Sequence, residues 1–539
     1  MCLFLFLQKR IKTDTMKKML FTFTAWCFLM ATHAQTVQVS GPQSGVWEAD
    51  TVLVTGDIDV ESSLEVLPGT VVLFDSYYMI SVADGAECSA LGTADDSIVF
   101  TVADTMGFFN EYSGRGGWNG FQVGKGRVRL DYCVLEYGKA TLGKDKEGGA
   151  MKILGGDVEI AHSTMQCNFS CDRGGAIHAE DATLKMVSCK VNKNSVFTDQ
   201  GTFAMYGGGI SLLRSHVDLF DMEFRGNYAP TCIGGALSLD SCKVDLHNAV
   251  FADNVGLNGG GMYMMRNNDM VNTLYNVAFY NNYSGHFGGG LAFADSSPYV
   301  YNLLVTNNSS EGVNCNGVFF YGHSQPKMNN CIVYGNNPPN ESGVIDSVQM
   351  WVWTFDDYAP EFRNCLVQGG LKMITSGESI HVFEEVIDAD PLFVDALNED
   401  YHLQEGSPCR DAGHVFVPFD LMEEPDLGGL RRVSNNRIDI GPYEYSEASV
   451  PQLETGISFA RLTGNPLDEA SRLVMELSCP QQVTVKVYSV TGAETATLAF
   501  DGVAGHNEWA LNSYMKLEPG LYVVEVIAKE GVCTFKVVK

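Results

Sequence analysis

Lys152, His178, Glu180 and Arg214 come nearest, by type and spacing, to a catalytic set in this 539-residue chain. They sit just after glycine pairs, in "GGAMK", "GGAIHAE" and "GGGISLLR". If these segments are neighbouring strands, an acid, a base and two cations share one face. Such a set suits elimination on an acidic sugar, where a cation neutralises the uronate and a base takes the C5 proton. A merely solvated polar face has the same composition, so the reading stays open at this point.

A second set is aromatic. "QMWVWTFDDY" (Gln349–Tyr358) alternates Trp351, Trp353 and Phe355, which places three flat rings on one side of a strand. Tyr263 and Phe320 are expected on the same outward face, and together these rings offer stacking platforms for sugars. Covering apolar surface is the competing duty. A third set, Asp388, Asp390 and Asp395 in "DADPLFVDALNED", supplies carboxylates of the kind that bind Ca²⁺, without the spacing of an EF-hand. Calcium is the only cofactor the sequence raises.

The elements that position these residues are copies of one unit. Counted from the first glycine of each pair, units start at Gly148, Gly174, Gly207, Gly234, Gly259 and Gly288, with Asn316 opening the last. An apolar residue stands three places on, from Met151 and Ile177 to Leu291 and Phe319. Others recur at twelve (Ile160, Met186, Leu219) and seventeen (Val191, Phe224, Phe251). At twenty stands Asn: Asn168, Asn194, Asn227, Asn254, Asn308 and Asn336. The unit at Gly259 needs three inserted residues, which bring Leu274, Phe279 and Asn282 into register.

Each unit alternates apolar and polar residues over short runs separated by turns, and leaves no room for a crossover helix. Coils of about 25 residues stacked at ~4.8 Å form a parallel β-helix. The glycine pair supplies positive φ or a close backbone approach. The Asn is expected to take the left-handed conformation and to bond the Asn one coil away. Residues four and six places after each pair start then point outward, which places Lys152 beside His178. The twelve-residue connection between Asn194 and Gly207, "SVFTDQGTFAMY", is expected to form an exposed flap.

The combination of "GGAI" with "FRGN", "FADN" and "FYNN" resembles the repeats of polymorphic outer-membrane proteins, which are β-helical surface adhesins. The resemblance covers Gly148 to Asn337. "LEVLPGTVVLF" (Leu64–Phe74) and "GGWNGFQV" (Gly116–Val123) are similar to the opening coils of secreted right-handed β-helix proteins, so the helix is expected to begin near Thr36. "DPLFVDALNEDYHLQEGSPCRDAG" and "DIGPYEY" resemble their closing segment. The "NTD", "GHG" and "RIK" pieces of pectin-hydrolysing β-helices are absent, and "GHS" at Gly322–Ser324 does not replace them.

From Gly456 the strands lengthen and read as an antiparallel β-sandwich. This segment resembles the C-terminal sorting domain of type IX secretion cargo in Asn465-Pro466, "VYSVTG" ending at Gly492, "LEPGLYVVEV" with Gly520 and Tyr522, and "KVVK" from Lys536 to Lys539. The resemblance implies passage through the periplasm to an outer-membrane translocon and delivery to the surface or extracellular space. The expected organisation is therefore all-β. Residues 1–34 are a signal peptide, 35–445 a right-handed parallel β-helix with closing segment 388–445, 446–455 a linker, and 456–539 the sorting domain.

Bulk properties agree with export. Lys17 and Lys18 precede the apolar run Met19–Met30, and "ATHAQ" offers a cut after Ala34. Met16 is the expected start, with residues 1–15 an upstream misreading. The run is too short to span a bilayer, and no later segment is long enough. Losing residues 1–34 removes five basic residues and one acid, taking the net charge from −30 to −34. Such a surface repels phosphate backbones and excludes nucleic acid as a partner. Thirteen cysteines remain without CxxC spacing, which fits small buried hydrophobes, with Cys167–Cys171 as a conceivable disulfide. The leading functional expectation is adhesin-like binding to a glycan or a host or bacterial surface. A polysaccharide lyase or hydrolase acting on acidic glycans is the alternative, and a structural surface-layer protein the third.

Overall fold

The computed structural model describes residues 35–143, 146–197, 206–311, 315–336, 348–376, 379–414, 424–433, 437–446, 459–463, 471–477, 480–489, 494–503, 505–511, 517, 521–528 and 531–538. The chain divides into two compact units between Glu444 and Tyr445. The first is an all-β solenoid in which thirty-one strands join one continuous ladder, opening with Thr36–Trp47 paired in parallel to Thr51–Val66. Each coil repeats the chain direction of the one before. Strand Met151–Leu154 thus pairs in parallel with Ile177–Glu180, which pairs with Ile210–Leu213 and that with Leu237–Asp240.

The glycine pair has two separate duties. Gly234 takes φ of 73°, and a Cβ on Gly235 would sit 2.0 Å from the carbonyl oxygen of Gly260 on the next coil. The first glycine makes the turn, and the second lets successive coils approach. Behind this turn runs an amide ladder. Asn168, Asn194, Asn227, Asn254, Asn282, Asn308 and Asn336 are fully buried, and each Nδ2 donates to the Oδ1 of the next at 2.9–3.1 Å. The ladder ends on Gln349, whose Oε1 accepts from Asn336 at 2.8 Å.

The left-handed conformation expected at these asparagines falls one residue earlier, on Lys193 (φ 56°), Gly226 (65°), Asp253 (58°), Asn281 (57°) and Asn307 (54°). The ladder position therefore selects Asn for its amide, which satisfies backbone groups that no water reaches. Inside the coil, Phe224, Phe251 and Phe279 stack at centroid spacings of 4.5 Å with planes 6° and 11° apart. All the described cysteines are free thiols, Cys167 and Cys171 included, and all but Cys167 are buried.

The last repeat departs from the expected register. Leu291 pairs with Val318, not with Phe319, so the unit opens at Cys315 rather than Asn316. One residue of slip exchanges the two faces of a strand. Phe320 is consequently fully buried in the core, and Phe319 points outward in its place.

The segment after Asp388 forms a short hairpin, Phe393–Asp395 with Asp400–Leu403, and then runs back along the coils. Glu399 meets Arg225 at 2.8 Å, Glu424 meets His247 at 3.2 Å, and Asn302 donates to the carbonyl of Gly441 at 2.9 Å. The fully buried Arg432 donates to Glu444 at 2.7 Å and to the side chain of Asn276. These contacts pin the segment over a corner where Asn248, Asn276, Asn302 and Asn330 take φ of 52–55°.

The second unit consists of two antiparallel sheets, one holding Phe459–Thr463, Arg472–Leu477 and Gly505–Ala510. The other holds Gln481–Ser489, Glu494–Gly502, Leu521–Ala528 and Gly531–Val538. Leu473 and Met475 of the first share a core with Val485, Val487 and Val524 of the second, which makes a sandwich. Tyr522 lies in that core, and Lys536 is on the last strand. Asn465, Pro466, Gly492, Gly520 and Lys539, like residues 1–34, lie outside the described residues.

Candidate functional site

One outward face runs the length of the repeat region. Its central column, read through strand register, is Lys152, His178, Ser211, Ser238, Tyr263, Ala292, Phe319 and Trp351. The composition changes along it. Ionic residues occupy the early coils, small ones the middle and aromatic ones the late coils.

At the ionic end Lys152 and His178 are neighbours, as the spacing predicts. They share a carboxylate that sequence spacing did not single out. Glu147 lies 3.2 Å from the Lys152 Nζ, 3.6 Å from the Arg173 Nε and 3.8 Å from the His178 Nε2. Burial penalises the Glu147 carboxylate, yet the cations beside it hold its pKa low. His178 is fully buried, its Nδ1 is 3.3 Å from the Ser211 hydroxyl, and burial drives it down to about 4. An imidazole so enclosed, and made so weak a base by its burial, is poorly placed to take a proton from a bound sugar.

Arg214 is near Glu180, as expected, but it is fully engaged. It donates to Glu180 and, through Nε and Nη2 at 2.9 Å each, to both oxygens of Asp181. Arg266 forks onto the buried Asp240 in the same way, with Nε 2.7 Å from Oδ1. Arg173 lies 4.7 Å from the centroid of Tyr206, which it covers. The cations of this end are matched to carboxylates of the protein. Asp240, Arg266 and Tyr206 carry no sequence signal as a group, because the coil register alone brings them near. Residues 198–205, the centre of the flap expected between Asn194 and Gly207, lie outside the described residues.

The aromatic end is open. Trp351 and Trp353 stack at 5.3 Å with planes 14° apart. Trp351 is held from beneath by Phe287 at 5.1 Å and Phe319 at 5.7 Å. Trp353 is 46% exposed, and Tyr321 meets it edge-on at 5.6 Å. Phe355, one residue past the strand, is exposed and packs edge-on against the same Tyr321 at 5.6 Å. Tyr263 faces outward as expected but is covered within this cluster, and burial pushes its phenol up to about 12.

A polar rim borders the rings. The His323 Nδ1 lies 3.1 Å from Asp295 and its Nε2 3.3 Å from Asp356, and these bonds raise its pKa. Tyr358 meets the His323 ring edge-on at 5.1 Å. Phe319, Tyr321, His323 and Tyr358 join the predicted Trp351, Trp353 and Phe355. The one-residue slip explains the exchange of Phe320 for Phe319.

The three aspartates offered for Ca²⁺ do not converge. Asp388 accepts from the Gly369 N–H at 2.7 Å, Asp390 from the Leu392 N–H at 2.9 Å, and Asp395 from the Asn398 amide at 2.7 Å. Asp390 and Asp395 bond close by in the chain while Asp388 reaches across to the neighbouring coil, and no group of three or more His, Cys, Asp or Glu among the described residues is arranged to hold a metal. No helix among them is long and apolar enough to cross a membrane. Neither a protein-family model nor a curated relative matches the chain.

Proposed function

We propose that the protein is an exported, surface-displayed solenoid that binds glycans through the aromatic end of its outward face. The observation that carries this reading is the exposed Trp353 ring, braced by Trp351 and Tyr321 and bordered by the His323–Asp295–Asp356 rim. A rigid indole supplies a flat apolar platform at little entropic cost, and neighbouring carboxylates and imidazole supply hydrogen bonds to hydroxyls. The adhesin-like repeats support display at a surface. The sorting-domain resemblance, seated on a C-terminal unit of sandwich architecture, supports the type IX secretion translocon and its sorting machinery as export partners.

The preferred ligand is a neutral glycan. The chain without residues 1–34 carries a net charge of −34, and the described arginines at the ionic end, Arg173, Arg214 and Arg266, are each paired with carboxylates of the protein. The same pairing weighs against the lyase alternative, which needs an accessible base beside a free cation. A glycan array probed with residues 35–539 tests the reading. Neutral glycans should be retained without new unsaturated ends in ultraviolet absorbance. Cleavage of acidic glycans would instead establish the enzymatic alternative.

A further inference from the structure

A second concavity lies several coils from the aromatic face, under the segment Asp104–Asn119. It encloses about 550 Å³ and is walled by Phe108, Phe109 and Tyr137, with Asn110, Cys167 and Lys193 among the polar groups around it. The covering segment has a built-in strut. Lys139 is fully buried, and its Nζ donates to the carbonyls of Gly107 and Arg115 at 3.0 Å each. Phe108 is fixed at 5.5 Å from Tyr137 and 6.2 Å from Phe169, both edge-on.

Yet Phe109 in the same wall is 74% exposed, and Met106 and Tyr112 on the segment are 62% and 60% exposed. Large apolar side chains gathered on a pinned loop around a cavity mark a binding site more often than a structural accident. The charge is as informative. Lys193 is exposed and forms no ion pair among the described residues, although acids outnumber bases 65 to 35 in this chain.

We infer that this cavity binds a flat apolar group carrying a single negative charge, with the rings of Phe108, Phe109 and Tyr137 against its body and the Lys193 ammonium on its anion. The site is independent of the glycan face, since it shares no residue with it. Cys167 reports on it from within, as the only described cysteine that is not buried.

The test uses the exported chain with 8-anilinonaphthalene-1-sulfonate as the anionic probe and 1-anilinonaphthalene as its uncharged counterpart. The anionic probe should show saturable fluorescence enhancement and slow maleimide labelling of Cys167. Phe109→Ala, a change at an exposed ring, should weaken binding of both probes at least fivefold. Lys193→Gln should weaken only the anionic one, and Trp353→Ala should alter neither. Anionic-probe binding that survives both Phe109→Ala and Lys193→Gln, or that leaves Cys167 labelling unchanged, would overturn the inference.

Discussion

Asn254 donates its side-chain N–H to Asn282 at 2.9 Å while its own Oδ1 accepts from Asn227, also at 2.9 Å. The same Asn254 bonds the carbonyl of Phe224 and the backbone N–H of Asn227. One buried side chain thus ties three coils together. Asn254→Leu keeps the volume and removes every bond. Leaving buried donors unpaired costs about 1–3 kcal/mol each, so the change should cost roughly 3–5 kcal/mol. Because each coil leans on its neighbours, hydrogen exchange should report local opening between Asn227 and Asn282. Unchanged protection there would contradict the ladder's role.

Phe251 is held between Phe224 and Phe279 at 4.5 Å on either side. Phe251→Ala should cost about 3–5 kcal/mol, since a rigid stack cannot collapse around the cavity. Denaturant unfolding checks this, and a loss below ~1 kcal/mol would show that the coil repacks.

The second glycine of each pair makes a sharper case. A Cβ on Gly235 would meet the Gly260 carbonyl at 2.0 Å, whereas one on Gly143 meets nothing within 4 Å. Gly235→Ala should therefore cost about 3 kcal/mol or more, and Gly143→Ala nearly nothing. Equal melting temperatures for the two variants would refute the close-approach argument.

The His323 clasp should depend on pH. Hydrogen bonds to Asp295 and Asp356 raise its pKa above the ordinary 6.5. A histidine raised in the fold contributes fully below its unfolded value and loses that contribution as pH rises through the folded one. The rim beside Tyr358 should accordingly loosen from about pH 6.5 upward. An NMR titration of the imidazole C–H should place the midpoint above 6.5 and show it falling in Asp356→Asn. A midpoint below 6.5 would remove the clasp.

Export gives a prediction about the second unit. If the second unit is the sorting domain proposed above, deleting Gly456–Lys539 should leave folded solenoid in the periplasm. Surface labelling of whole cells measures this, and undiminished labelling would exclude a sorting role for that unit.

Much of the solenoid was legible because its residues answer to one neighbour, the next coil. The recurrence of Asn227 and Asn254 twenty places after Gly207 and Gly234 sufficed to stack their amides. The left-handed turn was expected at the Asn itself and falls one place earlier, where Lys193 and Asp253 show that many residue types are tolerated once the Asn bonds are made. The spacing also misled at the last repeat, where Cys315 replaces a glycine and the register slips by one. Trp351 and Trp353 were legible from strand alternation alone. The Glu147 cluster was not, because Glu147 sits just before its glycine pair, outside the strand positions that the repeat spells out. Nor was the cavity at Phe109, because a loop outside the repeats closes it against side chains of successive coils.

Glycan affinity of Trp353→Ala measures the central claim most directly. Trp353 is exposed, while Trp351 packs beneath against Phe287 and Phe319. Removing the outer ring should thus leave the melting temperature nearly unchanged. Trp351→Ala, by contrast, should lower both stability and binding. For the neutral glycan best retained on the array, Trp353→Ala should weaken binding about tenfold, or ~1.4 kcal/mol, measured by calorimetry. Wild-type affinity in a folded Trp353→Ala protein would contradict the account.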